Sequence, residues 1–289
     1  MGSNTDIVFL NGEYMRMHEA KISPMDRGFL FGDGIYEMVP SYSGKLVGFA
    51  LHIKRMQQGL ATIGIQLSKS DKYWRDIAEN LTAKNGNGNL GVYLHVSRGA
   101  DVKRFHAFPD KVTPTIFAFV YEIPTEPAAD KTLTKQFKAN SAEDHRWKHC
   151  DIKSTSLLGN VMHFQSGQES GVDETILYNA QNELTEASSC NVFIVKGTSV
   201  LTPPLDKQLL PGITRLMLID ILRQEPTLTI EEQVVTMDEV RNADELWVTS
   251  SSKEIVPVVE LDGKPIGNGK VGDIWQLAQT LYSKNKFNY

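Results

Sequence analysis

The chain has 289 residues, 41% of them hydrophobic, with 30 Lys and Arg against 35 Asp and Glu for a formal net charge of −5. That length fills one large or two ordinary domains, each able to bury a core, and the negative balance argues against a role built on attraction to nucleic-acid phosphates or an anionic membrane, while small anionic ligands stay open. Two cysteines, Cys150 and Cys190, make no disulfide framework and hold no metal-ligand spacing with the seven histidines, so a reducing compartment and no metal site are expected.

The opening MGSNTDIVFLNGEYMRM contains no basic region followed by an apolar run, and Asp6 stands where a myristoylation signal takes Ser or Thr. No stretch approaches the ~18 unbroken apolar residues of a membrane span, so the expected location is the cytoplasm. Within that opening, IVFLNGEYM reads as two short strands around Asn11-Gly12, the dipeptide that favours a type I′ turn. After the loop SPMDRGFLFGDG, IYEMVPSYSGKLVGF is again strand-like, with a turn at Ser43-Gly44. Ile53, Met56, Leu60, Ile63 and Leu67 then recur at helical spacing and predict one apolar face. Ser70 caps a second predicted helix carrying Trp74, Ile77 and Leu81, which stops at Asn85-Gly86. Two strands follow, LGVYLHVSRG and PTIFAFVYEI.

Residues 123–131, IPTEPAADK, combine two prolines with little apolar content and form the predicted linker between a domain of residues 1–122 and one of residues 132–289. Beyond it, SLLGNVMHFQSGQESG predicts a helix, and ETILYN, NVFIVKG and SVLTP predict strands. A helix follows Pro211-Gly212, then a strand at Val234-Val235, another in ELWVTSS, a hairpin in VVELDGKPI and a closing helix bearing Ile274, Leu277 and Leu281. Both parts mix helices and strands, and a crevice between domains is where a ligand is expected.

The segment RWKHCDIKSTSLLGN, residues 146–160, places Lys153 between an apolar Ile152 and a Ser154-Thr155-Ser156 run that can cap the next helix. Most lysines are solvated surface groups. A lysine turns nucleophilic when burial or a cationic neighbour disfavours its charged form, and it then forms a Schiff base with an aldehyde. Arg146 and Lys148 are near in sequence, and Ile152 and Leu157 offer apolar walls. Such a lysine suits pyridoxal phosphate, a cofactor that also demands phosphate donors, an acidic partner for its ring nitrogen and walls for the ring. LLPGITRLMLIDIL offers a helix N-terminus with the N–H groups of Ile213 and Thr214 and the Thr214 hydroxyl. Thr249-Ser250-Ser251-Ser252 offers a second donor cluster after a strand, and Glu186 in ELTEASSCN, between strands, offers the carboxylate. Each feature alone also reads blandly, as a common helix start, a polar loop and a solvated glutamate.

Taken in order, DRGFLFGDGIYE, HIKRM, DIKSTSLLGNVM, ELTEASSCNVF, LLPGITR and ELWVTSSSKEIVPV resemble the fold-type IV, or class IV, pyridoxal-phosphate aminotransferases along nearly the whole chain. The resemblance implies a two-domain α+β and α/β fold with the lysine in the larger C-terminal domain. It implies that Lys153 carries the cofactor as a Schiff base and that Glu186 faces the ring nitrogen. Arg55, Leu210, Ile213, Thr214, Ser250 and Ser251 complete the implied cofactor set. Without the resemblance, Arg55 reads as the exposed side of an amphipathic helix.

Within SRGADVKRFHAFP, Arg104 and His106 alternate so that both can point one way, and a guanidinium with an adjacent imidazole suits a carboxylate. A basic loop tip is the plainer reading. The pair resembles the carboxylate trap of D-amino acid aminotransferases, assisted by Tyr36. In those relatives it reaches the site from the other subunit, which implies a homodimer. The loop from Arg98 is about a residue longer than in the best-known members, so Arg98 and Arg104 both stay open as the carboxylate ligand. The implied reaction is ping-pong transamination between D-amino acids such as D-alanine and D-glutamate and 2-oxo acids, with Lys153 as proton shuttle. The alternatives are a branched-chain L-amino acid aminotransferase, an aminodeoxychorismate lyase and a cofactor-binding regulatory protein.

Overall fold

In the computed structural model, which describes residues 6–289, Asn11 and Gly12 take φ of 50° and 109°, and this tight turn joins β1 (Ile7–Leu10) to β2 (Glu13–Arg16). Positive φ at both central residues is what a type I′ turn requires. The reading of the first residues as free of targeting signals falls partly on residues 1–5, outside the described residues. Among the described residues, no helix is long and apolar enough to cross a membrane.

The chain then forms α1 (Arg27–Phe31), β3 (Gly34–Tyr42), β4 (Lys45–Leu46), α2 (Phe49–Thr62), α3 (Asp71–Lys84), β5 (Asn89–Ser97) and β6 (Thr115–Glu122). Their strands make an antiparallel sheet in the order β2-β1-β6-β5-β3-β4. Ile35 and Val39 of β3, Ile53 and Met56 of α2, and Trp74 and Leu81 of α3 share one buried core. Burial of each such side chain contributes about 1.5–3 kcal/mol. The periodicity predicts α2 running to Leu67, yet the helix stops at Thr62 because Gly64 takes the left-handed φ of 70°. Leu67 still packs on the core from the following loop. α3 starts as expected, with the Ser70 hydroxyl accepting from the Tyr73 N–H at 3.2 Å, and ends at Asn85.

The second unit contains β7 (Phe137–Glu143), α4 (Leu158–Glu169), β8 (Glu174–Tyr178), β9 (Leu184–Ala187), β10 (Asn191–Lys196), β11 (Ser199–Thr202), α5 (Ile213–Leu222), β12 (Thr229–Glu232), α6 (Met237–Arg241), β13 (Glu245–Ser250), β14 (Glu254–Leu261), β15 (Lys264–Pro265) and α7 (Asp273–Asn285). Its mixed sheet runs β12-β11-β10-β13-β14-β7-β8-β9, with β15 on β14. The pairs β11·β12, β14·β7 and β7·β8 are parallel. β7, sequence FKANSAE, carries only Phe137 and Ala139 as buried apolar anchors, too few for a periodic signal. The expected strand at Val234-Val235 is instead β12, five residues earlier, where the chain finds a parallel partner in β11. α7 forms, but it buries Trp275, Ala278, Gln279 and Tyr282, while Ile274, Leu277 and Leu281 are half-buried. Gln279 turns inward because its amide donates to Glu254 Oε2 at 2.7 Å. The Lys286 ammonium beyond α7 lies 2.5 Å from both Glu126 and Glu254.

By contacts between residues, one unit runs to Thr125 and also takes in Ile152–Leu157 and Tyr289, while Glu126–Asp151 and Leu158–Asn288 make the other. The expectation that Lys153 belongs to the C-terminal domain is therefore corrected. The reason is hydrogen bonding, since the Lys153 carbonyl accepts from the Tyr36 N–H at 3.1 Å and Thr155 N–H donates to the Gly34 carbonyl at 3.0 Å.

Candidate active site

Lys153 stands on a stretch that Ser154 bridges to Ile35, at the start of β3. The Ser154-Thr155-Ser156 run, expected as a helix cap, performs a different task. The Thr155 hydroxyl donates to the Gly32 carbonyl at 2.9 Å and the Ser156 hydroxyl to the same carbonyl at 3.1 Å, so both tie Lys153 to the turn before β3. Gly34 is required there, because a Cβ would sit 2.9 Å from the Val96 carbonyl oxygen. The Lys153 ammonium lies 4.2 Å from the centroid of the Tyr36 ring, in cation–π range, and Tyr36 stacks on Tyr93 at 5.5 Å. Lys153 and Tyr36 are thus brought together, both half-buried.

One strand position further on, Glu37 points the other way into the core and gathers two residues of α2. Arg55 donates from Nε and Nη2 to the two Glu37 oxygens, each at 2.7 Å, and His52 Nδ1 lies 2.7 Å from Oε2. Burial opposes the charge on Glu37, but Arg55 and His52 outweigh it and hold the carboxyl down at about 2. Arg55 is therefore buried and ion-paired rather than exposed on its helix.

Arg98 and Arg104 have different surroundings. Arg98 is buried, its Nε and Nη2 on the two oxygens of Asp33 at 2.8 and 3.0 Å, with Nη2 also 2.6 Å from the Ile63 carbonyl. Arg104 and His106 are exposed on the loop between β5 and β6, which forms no strand at that point. Both lie against Phe31, the Arg104 guanidinium 5.0 Å and the His106 ring 5.4 Å from its centroid.

In the second unit Glu186 lies on β9, a four-residue strand of its own rather than a loop between strands. It is buried and takes hydrogen bonds from Arg146 Nη1, from Asn191 Nδ2 at 3.2 Å and from the Leu210 N–H at 3.1 Å. Leu210, expected in the cofactor set, thus uses its N–H on Glu186. Burial pushes the Glu186 carboxyl up to about 7, while Arg146 and Leu210 pull it down. All three partners are donors, which favours the ionised form. Arg146 was expected as a cationic neighbour of Lys153. It lies in a buried ion pair, with Nε and Nη2 on Asp144 at 2.9 and 2.7 Å. Its role has no signal in the sequence, because its two carboxylates are separated from each other by a long stretch of chain.

α5 begins at Ile213 with Gly212 at its N-cap and no side-chain cap. The first-turn N–H groups of such a helix have no intrahelical acceptor and favour an anion. A Cβ on Gly212 would lie 1.9 Å from Asn191 Oδ1, so only glycine lets this cap approach the Glu186 cluster. Thr214 is buried beside it. Thr249 Oγ1 and Ser250 Oγ, at the end of β13, are buried without a hydrogen-bond partner, and Ser251 follows in the turn. Buried hydroxyls left unpaired cost about 1–3 kcal/mol each. Cys150 and Cys190 are free and buried, and burial pushes both thiols up to about 12.

Residues 34–261 match the family model described as amino-transferase class IV. The chain is 36% identical over 280 residues to the D-alanine aminotransferase of Staphylococcus haemolyticus, covering 96% of each chain. It is 37% identical over 273 residues to the D-alanine aminotransferase of Bacillus licheniformis, covering 94% of each. The solved branched-chain amino acid aminotransferase of Escherichia coli superposes with a TM-score of 0.89 at 21% identity, over 98% of this chain and 95% of that one, a likeness of fold. The motif order, the folds of both units and the length of these matches agree, and the chain belongs to the class IV aminotransferases.

Proposed function

We propose that this aminotransferase moves the amino group between D-amino acids and 2-oxo acids, with D-alanine as one substrate. The observation that carries the D-amino acid reading is the contrast between two arginines. Arg98 is buried on Asp33, whereas Arg104 stands exposed beside His106 on one aromatic platform. That contrast supports Arg104 and His106, with Tyr36, as the carboxylate-binding set. The D-alanine aminotransferases named above support the same reading.

Class IV aminotransferases use pyridoxal phosphate, and the residues present fit it. The unpartnered Thr249 and Ser250 hydroxyls and the open N-terminus of α5 suit its phosphate, and the donor-ringed carboxylate of Glu186 suits a protonated ring nitrogen. When bound, pyridoxal phosphate supplies an aldehyde that condenses with amines and a ring that accepts the electron pair left at Cα. Ile213, Thr214, Ser250, Ser251 and Arg55 hold the phosphate in this reading. Glu186 holds the ring-nitrogen proton, and Leu210 contributes through its bond to Glu186. Lys153 Nζ would hold the cofactor through its aldehyde and, when free, would be the base that moves the substrate Cα proton. The net reaction would release one 2-oxo acid and pass the amino group to a second 2-oxo acid.

A homodimer is part of the proposal. It is supported by exposed apolar residues, Leu158, Val161 and Met162 on α4 and Phe29, Phe105 and Phe108 around the Arg104 loop. Light scattering that gives a monomer at micromolar concentration would sink it. A cytoplasmic location is supported by the two free cysteines. The function is tested by mixing the yellow holoenzyme with single D- and L-amino acids and following cofactor absorbance. D-alanine should bleach the cofactor much faster than L-alanine or L-leucine, and faster conversion by L-leucine establishes the branched-chain activity instead.

A further inference from the structure

Residues 103–110 carry Arg104 and His106 and are almost wholly exposed. Among the described residues, every hydrogen bond that ties this stretch to the rest of the unit comes from one side chain, Arg27 of α1. Arg27 is 3% exposed. Its Nη1 donates to the Phe105 carbonyl at 2.6 Å and the Ala107 carbonyl at 3.3 Å, and its Nη2 to the His106 carbonyl at 3.2 Å. The remaining donor, Nε, is 2.8 Å from Asp33 Oδ2, the same oxygen that takes Arg98 Nε at 2.8 Å. The Arg27 guanidinium also lies 4.8 Å from the centroid of Phe31, the ring on which Arg104 and His106 rest.

The chemistry of this anchor is specific. Three successive carbonyls can only accept, and a planar guanidinium with five donors can serve three of them and a carboxylate at once. A buried charged group with all its partners satisfied has one geometry, whereas an exposed loop held by nothing has many. The stem of the loop is held separately, by Arg27 N–H on the Gly99 carbonyl at 2.9 Å and Arg98 N–H on the Asp33 carbonyl at 3.0 Å. The Arg27 side chain therefore joins the tip to Asp33, and the other charged contact of the tip with this cluster is the Arg98 guanidinium, 3.6 Å from the centroid of Phe108.

We propose that Arg27, oriented by Asp33, is the positioning residue that sets the Arg104-x-His106 tip for a substrate carboxylate. It touches no substrate itself. The inference rests on the carboxylate reading of Arg104 and His106, and it adds that their affinity depends on preorganisation by a buried arginine.

The test compares holoenzyme variants Arg27→Met, Arg27→Lys and Arg104→Ala. Arg27→Met should raise KM for D-alanine at least tenfold with kcat within about threefold of the parent. Cofactor affinity, measured by absorbance titration of the apoenzyme, should stay within about twofold. Hydrogen exchange should quicken in peptides covering residues 103–110 and not in peptides of β3 or β5. Arg27→Lys, which keeps a charge and three donors without the planar fork, should fall between the two. An unchanged KM in a folded, yellow Arg27→Met overturns the proposal, and so does an equal loss of kcat and cofactor affinity, the mark of a general structural role. If Arg27→Met does not fold, Arg27→Lys decides, and parental KM with parental exchange overturns it. Arg104→Ala separates the two levels. If that variant keeps parental KM, the carboxylate reading fails; if its KM rises and that of Arg27→Met does not, only the present inference fails.

Discussion

Arg146 bridges two carboxylates of the second unit, holding Asp144 through Nε and Nη2 and donating Nη1 to Glu186. Glu186 is thereby fixed in position by a cation whose own place is fixed by Asp144, to which the Thr185 hydroxyl also donates at 3.0 Å. Removing one partner of such a buried set leaves an uncompensated charge and costs about 3–5 kcal/mol. Arg146→Met should lower stability by that order in urea melts, and Asp144→Asn by less, because Arg146 keeps Glu186.

Glu186→Gln should still fold, at a smaller stability cost than Arg146→Met because Arg146 keeps Asp144, while slowing Cα proton transfer at least tenfold, about 1.4 kcal/mol of barrier, because a neutral amide stabilises a protonated ring nitrogen less. Burial sets the Glu186 carboxyl near 7, so the parent's half-reaction should slow as pH falls through that region and the glutamine variant should lose this limb. Equal stopped-flow rates for both proteins at pH 8 would remove Glu186 from the ring nitrogen.

Lys153→Ala removes the anchoring amine and the proton shuttle together, so turnover should fall by at least 10³-fold. The phosphate contacts should still retain the cofactor, without the absorbance of the lysine-bound form. Full turnover by this variant without an added amine excludes Lys153 from the chemistry.

Arg104→Ala should raise KM for D-alanine by roughly ten- to a hundredfold, the value of a charge-assisted bidentate contact of about 1.5–3 kcal/mol. The loss should extend to D-glutamate and D-aspartate, since a carboxylate common to all three is what the arginine binds. Steady-state kinetics with the three substrates checks this.

Glu37 has its carboxyl held at about 2, below the ordinary 4.5, by Arg55 and His52 against the pull of burial. A depressed carboxyl contributes stability that is full above its unfolded value and is lost as pH falls through its folded value. That contribution is roughly 3 kcal/mol, lost between about pH 4.5 and pH 2. Urea melts should therefore show the parent losing stability over this window, while Glu37→Gln, less stable at pH 7, loses less and the two curves converge.

Two local signals in the sequence carried over directly into structure. Asn11-Gly12 specifies its turn because both residues tolerate positive φ, and Ser70 specifies the start of α3 because its hydroxyl reaches an orphan N–H three residues on. Gly64 shows the limit of periodicity, since a left-handed residue ended α2 while the apolar spacing continued to Leu67. β7 and β9 were illegible for a different reason: each is short or nearly without apolar alternation and exists because neighbouring strands supply its hydrogen bonds.

The sequence by itself determined the family, through ordered motifs around Tyr36, Lys153, Glu186, Thr214 and Ser250, the residues of the proposed site, because those signals are local and travel with the chain. Tertiary structure alone decided which charges meet. Arg27 on the carbonyls of residues 105–107, Arg98 on Asp33, Arg55 on Glu37 and Arg146 on Glu186 are contacts between residues far apart in sequence. An arginine's partner is chosen by where packing leaves a buried carboxylate or carbonyl without another donor, and no local pattern of residues encodes that.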